Sequence, residues 1–148
     1  MDLWNTPERV ALREAVMKFT EKEIVPNLAQ WEDDGELPRE LSLAAAKAGF
    51  LGVGFSEEVG GVGGDSIDTA IVTESIIQAG GSSGVIASLF THGIAVPHIV
   101  DAGNPELVDR FVRPALAGEK IGSLGVTEPG GGSDVANITT RAVRDGDY

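Results

Sequence analysis

The chain has 148 residues, with 11 Lys and Arg against 23 Asp and Glu, no Cys and 20 Gly, a length that suits one ordinary domain without covalent staples. A net charge of −12 with scattered basic residues excludes a cationic footprint for nucleic acid or an anionic membrane surface, and the lack of Cys excludes a thiolate metal site or a catalytic thiol. No apolar run is read as approaching the ~20 residues of a spanning helix, and Met1-Asp2-Leu3-Trp4 lacks the regions of a secretion signal, so a cytoplasmic protein without membrane insertion is expected.

Thr6 and Pro7 form an N-cap and a first-turn proline, and Leu12, Val16 and Phe19 recur at helical spacing until Pro26 ends the run. A second helix starts at Pro38, with Leu41, Ala44, Ala45 and Ala48 ahead of Gly49 at the left-handed position. Gly49 to Gly64 is too irregular for an element and too apolar for a free linker, which predicts a packed, functional loop. A third helix from Asp65 or Ser66 gathers Ile67, Ala70, Ile71 and Ile77 on one face and ends at Gly80-Gly81, with Val72 and Ile76 marking a second contact. From Ser83 to Ala102 nearly every side is apolar, which predicts a central helix bent at Gly93 and Pro97. Asn104 and Pro105 open a fifth helix through Leu107, Val108, Phe111, Val112 and Leu116, bent near Pro114 and finished by Gly118. Short connections between these helices predict a mainly α protein, an antiparallel helical bundle.

After Gly118 the pattern changes to strands. Lys120 to Thr127 reads as extended, and Ile138 to Arg144 reads more weakly so before the hairpin turn Asp145-Gly146. Only Asp147 and Tyr148 are left for a returning strand. A strand without a partner leaves its backbone groups orphaned, so the expectation is an all-helical domain at 1–118 followed at 119–148 by the first strands of a truncated β-domain.

Most candidate sites have a plain structural explanation. His92 and His98 point about 240° apart around a helix and lack a carboxylate to complete a ligand set, so no metal site is expected and both read as core or helix-end residues. Trp4 and Trp31 read as packing or interface residues, and Glu57-Glu58 and Asp33-Asp34 as solvated. Gly60, Gly61, Gly63 and Gly64 lack the preceding strand and the residue spacing of a phosphate loop, which leaves a tight passage into the next helix. Gly125 to Asp134 differs in kind. An extended run delivers the Thr127 hydroxyl, then bare backbone whose N–H groups can approach a bulky ligand, then the Ser133 hydroxyl. Asp134 is placed to cap a turn at 135–137 and to aim further N–H groups at an anion such as a pyrophosphate. On spacing alone, a glycine-rich interdomain turn carries equal weight.

That stretch resembles the first signature of the acyl-CoA dehydrogenases: a small residue, an aliphatic, Ser/Thr, Glu, two variable positions, a small residue, Gly, Ser/Thr and Asp. Gly125 to Asp134 fits at every position, and Asn137 stands where the family has Gly, Ser or Ala. The resemblance covers the whole chain, including the lead-in Gly118-Glu119-Lys120. It implies that Leu124, Gly125, Val126, Thr127, Glu128, Pro129, Gly130, Gly131, Gly132 and Ser133 line FAD, with the Thr127 hydroxyl and nearby amides at the pyrimidine side of the flavin. It implies that Ser133 also contacts the acyl-CoA substrate and that Ile86, Ala87 and Phe90 border the acyl chain, core packing being an equal alternative for those three. The implied reaction is α,β-dehydrogenation of an acyl-CoA, with electron-transferring flavoprotein as acceptor and a dimer or tetramer at full length. The resemblance places the catalytic base in a C-terminal half, so no residue here is offered for it, and Glu128 receives a place in the turn only. Acyl-CoA oxidases and nitroalkane oxidases, which share much of this architecture and differ in electron acceptor or substrate, are the alternative within the superfamily, and a non-catalytic helical interaction domain is the alternative of another class.

Overall fold

The computed structural model describes residues 2–147, so Tyr148, the last residue of the expected returning strand, lies outside the described residues. Helix α1, Pro7–Phe19, begins as the sequence directs, with the Thr6 hydroxyl accepting from the Arg9 N–H at 3.3 Å. It then widens into a π turn over Thr20–Ile24, where the Val25 N–H reaches the Thr20 carbonyl, and continues as a tight turn at Val25–Asn27. Pro26 has no N–H for the Lys22 carbonyl and its ring crowds that oxygen, so the turn before it opens. The same device recurs where a bend was expected at Pro114. Between α7, Pro105–Leu107, and α8, Arg113–Leu116, the chain forms a π turn over Val108–Val112, with the Arg113 N–H on the Val108 carbonyl. The Arg110 carbonyl, which Pro114 cannot serve, accepts from Lys120 Nζ at 2.9 Å.

Helix α2, Leu28–Asp34, was not expected, because Pro26 was read as a terminator although proline also suits a first turn. Its Trp31 packs on a core of Ile24, Leu41, Ala45, Leu51, Val85 and Leu89. Trp4, by contrast, is exposed. Helix α3, Arg39–Lys47, contributes Leu41 and Ala45 to that core and is followed by Gly49 at φ 85°. The loop from 49 to 64 is packed: Phe50, Leu51 and Gly52 are buried, and Val53 pairs with Gly63 in an isolated bridge.

Helix α4, Ser66–Gln78, opens with a reciprocal box between Asp65 and Asp68. Its buried face is Ile71, Val72, Ser75 and Ile76, while Ile77 is exposed, so the positions read as a secondary contact form the core and the expected face is shifted. Contact with α1 causes this, since Val72 and Ile76 cluster with Val16 and Phe50. Arg9, near the start of α1, pairs with Asp65 and Asp68 at the start of α4, and a side chain at Gly80 would meet Val25 beyond the far ends of both. The two helices therefore run parallel. Helix α4 is the third of the five expected helices, and first and third helices also run parallel in an up-and-down bundle, so this pair neither supports nor overturns the antiparallel expectation.

The expected central helix is two helices, α5, Ser83–Leu89, and α6, His92–Asp101, separated at Phe90–Thr91 rather than bent at Gly93 or Pro97. Val85, Leu89, His92 and Val96 are buried, but Ile94 is 63% exposed, so the segment is not enclosed on all sides. Taken across the break at Phe90–Thr91, the 19 residues Ser83–Asp101 contain a window with a mean hydropathy of 1.4, which by length and composition corrects the expectation of no long apolar run. Thr91, His92 and His98 hid this in the sequence. From 119 onward the chain is exposed apart from Gly122 and Glu128, and the described residues contain no β-ladder. The strands expected at Lys120–Thr127 and Ile138–Arg144 are absent as ladders because an extended segment becomes a strand only when its N–H and C=O groups meet a partner.

Candidate functional site

Gly125 to Asp134 forms a projecting turn. The Glu128 N–H donates to the Gly131 carbonyl at 2.9 Å and the Gly131 N–H returns to the Glu128 carbonyl at 3.1 Å, with Pro129 and Gly130 at the corner. Proline presets the first corner torsion. Where side chains would stand at Gly125, Gly130 and Gly131 there is open space. Among the described residues, the amides of Gly130, Gly132 and Ser133 and the Thr127 hydroxyl donate to no protein acceptor. The turn thus presents neutral donors on bare backbone.

Its carboxylate is engaged elsewhere. Glu128 Oε2 accepts from the Thr139 N–H at 3.0 Å and its hydroxyl at 2.9 Å, while Oε1 accepts from the Thr140 N–H at 2.6 Å and its hydroxyl. These donors, the Thr139 N–H foremost, lower the Glu128 carboxyl to about 2. Sequence reasoning missed Thr139 and Thr140, since no local spacing rule joins residues 11 and 12 positions apart. A cavity of about 480 Å³ is lined by residues 128–131, Asp134 and 137–140, with Thr127 and Ser133 outside its wall. Beyond the turn, 135–137 forms a short helical turn, but Asp134 does not cap it with its side chain. Asp134 Oδ2 instead accepts from Asn137 Nδ2 at 2.6 Å, which is what the unusual Asn137 contributes.

The other proposed contacts are dispersed. Ile86 packs on the Val16–Val72 cluster, Phe90 on that cluster and on the Ile24 core, and Ala87 is exposed. Of these three only Phe90 lines the apolar cavity of about 240 Å³ bounded by Phe50, Phe55, Val72 and His92, and no residue of 124–133 reaches it. His92 is a core residue: Nε2 lies 2.9 Å from the Leu51 carbonyl and Nδ1 3.1 Å from that of Leu89, and burial lowers its pKa below the usual imidazole range. The glycines at 60–64 cannot cradle phosphate, because the amides of Gly60, Gly61, Val62 and Gly63 donate to Glu57, Ser56, Gly52 and Phe55. Glu57 and Glu58 are exposed, as are Asp33 and Asp34. No group of three His, Asp or Glu able to hold a metal ion occurs among the described residues.

The family described as acyl-CoA dehydrogenase, N-terminal domain, matches residues 6–119. The mitochondrial long-chain specific acyl-CoA dehydrogenase of Sus scrofa is 40% identical over 139 residues, covering 94% of this chain and 32% of that protein. A crystal structure of a probable acyl-CoA dehydrogenase from Mycobacterium abscessus superposes with a TM-score of 0.94 at 64% identity, over 97% of this chain and 38% of that one. A glutaryl-CoA dehydrogenase from Mycobacterium smegmatis, solved in complex with FADH2, gives a TM-score of 0.86 at 26% identity over 99% and 37%. The chain therefore spans about a third of the length of the relatives it matches.

Proposed function

The chain belongs to the acyl-CoA dehydrogenase family, and from that premise we propose that it is the N-terminal part of an FAD-dependent enzyme that introduces an α,β double bond into acyl-CoA thioesters. The observation that carries the reading is the open turn at Gly125–Asp134. Its free amides, free Thr127 hydroxyl and internally engaged carboxylate match a ring system that presents hydrogen-bond acceptors and gains electron density. The donor set fits a flavin. In this reading Leu124 to Ser133 line the FAD, with Thr127 and the neighbouring amides at its pyrimidine side. When bound, FAD would supply the acceptor for the hydride that leaves the substrate's β-carbon. Ser133 orients the thioester, and Ile86, Ala87 and Phe90 border the hydrocarbon tail, a reading for which the apolar cavity beside Phe90 gives support. The proton acceptor at the α-carbon belongs to sequence outside this chain.

Residues 1–118 are taken as the helical domain and 119–148 as the start of a middle β-domain, a division supported by the last helix ending at Leu116 and by the family match ending at 119. Electron-transferring flavoprotein as acceptor, a dimeric or tetrameric assembly and a cytoplasmic location complete the proposal.

The test is anaerobic titration of the purified full-length protein with acyl-CoA thioesters. Bleaching of a bound flavin's visible absorption is the expected outcome, and a protein that takes up no flavin, or whose flavin no thioester reduces, would overturn the reading. Rapid reoxidation of the reduced flavin by O₂ would assign an oxidase instead. The 148 residues alone are expected to show no turnover and at best weak FAD binding, so turnover by them would contradict the proposed division.

A further inference from the structure

Glu128 lies inside the flavin-facing segment, yet its carboxylate bonds to residues 11 and 12 positions further on. We propose that Glu128 is a positioning residue, a clamp that fixes the Thr127–Ser133 turn to the Thr139–Thr140 segment so that the donors facing the flavin are set before it binds. The inference rests on the reading of this segment as a flavin site.

Two sets of bonds define the clamp. The main-chain pair between Glu128 and Gly131 closes the turn, at 2.9 and 3.1 Å. The carboxylate then takes a backbone N–H and a hydroxyl on each oxygen, Thr139 on Oε2 and Thr140 on Oε1. The chemistry demands a carboxylate. A hydroxyl can rotate to accept, but a backbone N–H cannot. Each oxygen faces one such N–H, so a carboxamide would satisfy one and set its own NH₂ against the other. Glutamine is therefore no substitute for glutamate. With the side chain held at both oxygens and the main chain tied at Gly131, the amides of Gly130 and Gly132 have a fixed origin, and Thr127, one residue away, shares it. Preorganised donors of this kind hold a ligand group without reorganising as charge develops.

The experiment compares full-length wild type with E128Q, T139V/T140V and T139S/T140S, reading amide exchange at 139 and 140 in the flavin-free proteins, FAD affinity, and the flavin's visible band and reduction potential. Glu128→Gln is expected to speed exchange at one or both amides, weaken FAD roughly tenfold or more, and shift band and potential, as loss of an outer support does elsewhere. The double valine variant loses the hydroxyl bonds only and should move the same readouts less, and the double serine variant, which keeps all four donors, should restore them. A role confined to folding would lower thermal stability and leave band and potential unmoved. Wild-type exchange in E128Q, or wild-type affinity and band, would overturn the clamp. Should the wild type itself bind no flavin, the functional reading fails, and exchange at the two amides alone then decides whether the clamp exists.

Discussion

At the scale of single residues, two side chains carry testable energetics. The Thr20 hydroxyl is fully buried and, among the described residues, has no hydrogen-bond partner, and an unsatisfied buried hydroxyl costs about 1–3 kcal/mol. Thr20→Val keeps the shape and removes the hydroxyl, so stability should rise by ~1–3 kcal/mol, seen as a higher urea midpoint with an unchanged slope. Asp68 sits against the Arg9 guanidinium at 2.8 Å, and that hydrogen bond holds its carboxyl below the usual range. A carboxyl lowered on folding stabilises the protein above its unfolded pKa of about 3.9 and loses that contribution as pH falls through its folded value. Asp68→Asn should therefore lower Tm at pH 7, with the gap to wild type closing as pH drops below about 4. An equal gap at pH 7 and pH 2 would contradict this. The turn residues from Gly125 to Asp134 were legible because their signature is local. Thr139 and Thr140 were not, since their role depends on a carboxylate brought back by the fold.

At the scale of elements, the helix caps, the glycine stops and the apolar faces of α1 and α3 were legible in the sequence, whereas the cap expected at Asp134 and the buried face of α4 were not. Thr6, Asp65 and Asn104 act where local hydrogen bonding places them. The buried face of α4 and the break between α5 and α6 follow from neighbours that periodicity does not name. Pro26 was read as a stop and Pro114 as a bend, and each follows a π turn within a continuing helical path. The loop at 49–64 yields a sharp prediction. A β-carbon on Gly61 would lie 2.1 Å from the Phe55 carbonyl oxygen, a main-chain atom that cannot move aside. Gly61→Ala should cost about 3 kcal/mol or prevent folding, measurable by urea denaturation. Gly130→Ala, with open space at the same position, should leave stability nearly unchanged.

At the scale of the whole molecule, the helical body holds the buried clusters while residues 119–147 lie on its outside, exposed but for Gly122 and Glu128. Limited trypsin digestion of the 148-residue chain should cut first after Arg141 and Arg144, with little loss of far-ultraviolet helical signal, and mass spectrometry would show whether a helical site is cut sooner. The mainly helical class was legible because amphipathic spacing and caps are local signals. The direct pairing of α1 with α4 was not, because it depends on what two intervening helices and a packed loop allow.

That pairing has a consequence for how the chain is born. Arg9 meets Asp65 across 56 positions, so α1 leaves the ribosome well before the helix that covers Val16. At 5–20 residues per second the wait is roughly 3–11 s, far longer than helix formation itself. During that wait Val16 lacks the α4 side of its cluster, and an isolated helix of 13 residues is marginal in water, so closing the large loop to α4 is the step at which this region becomes native. Chaperone capture of stalled nascent chains should accordingly fall once Gln78, the last residue of α4, has emerged from the ribosome.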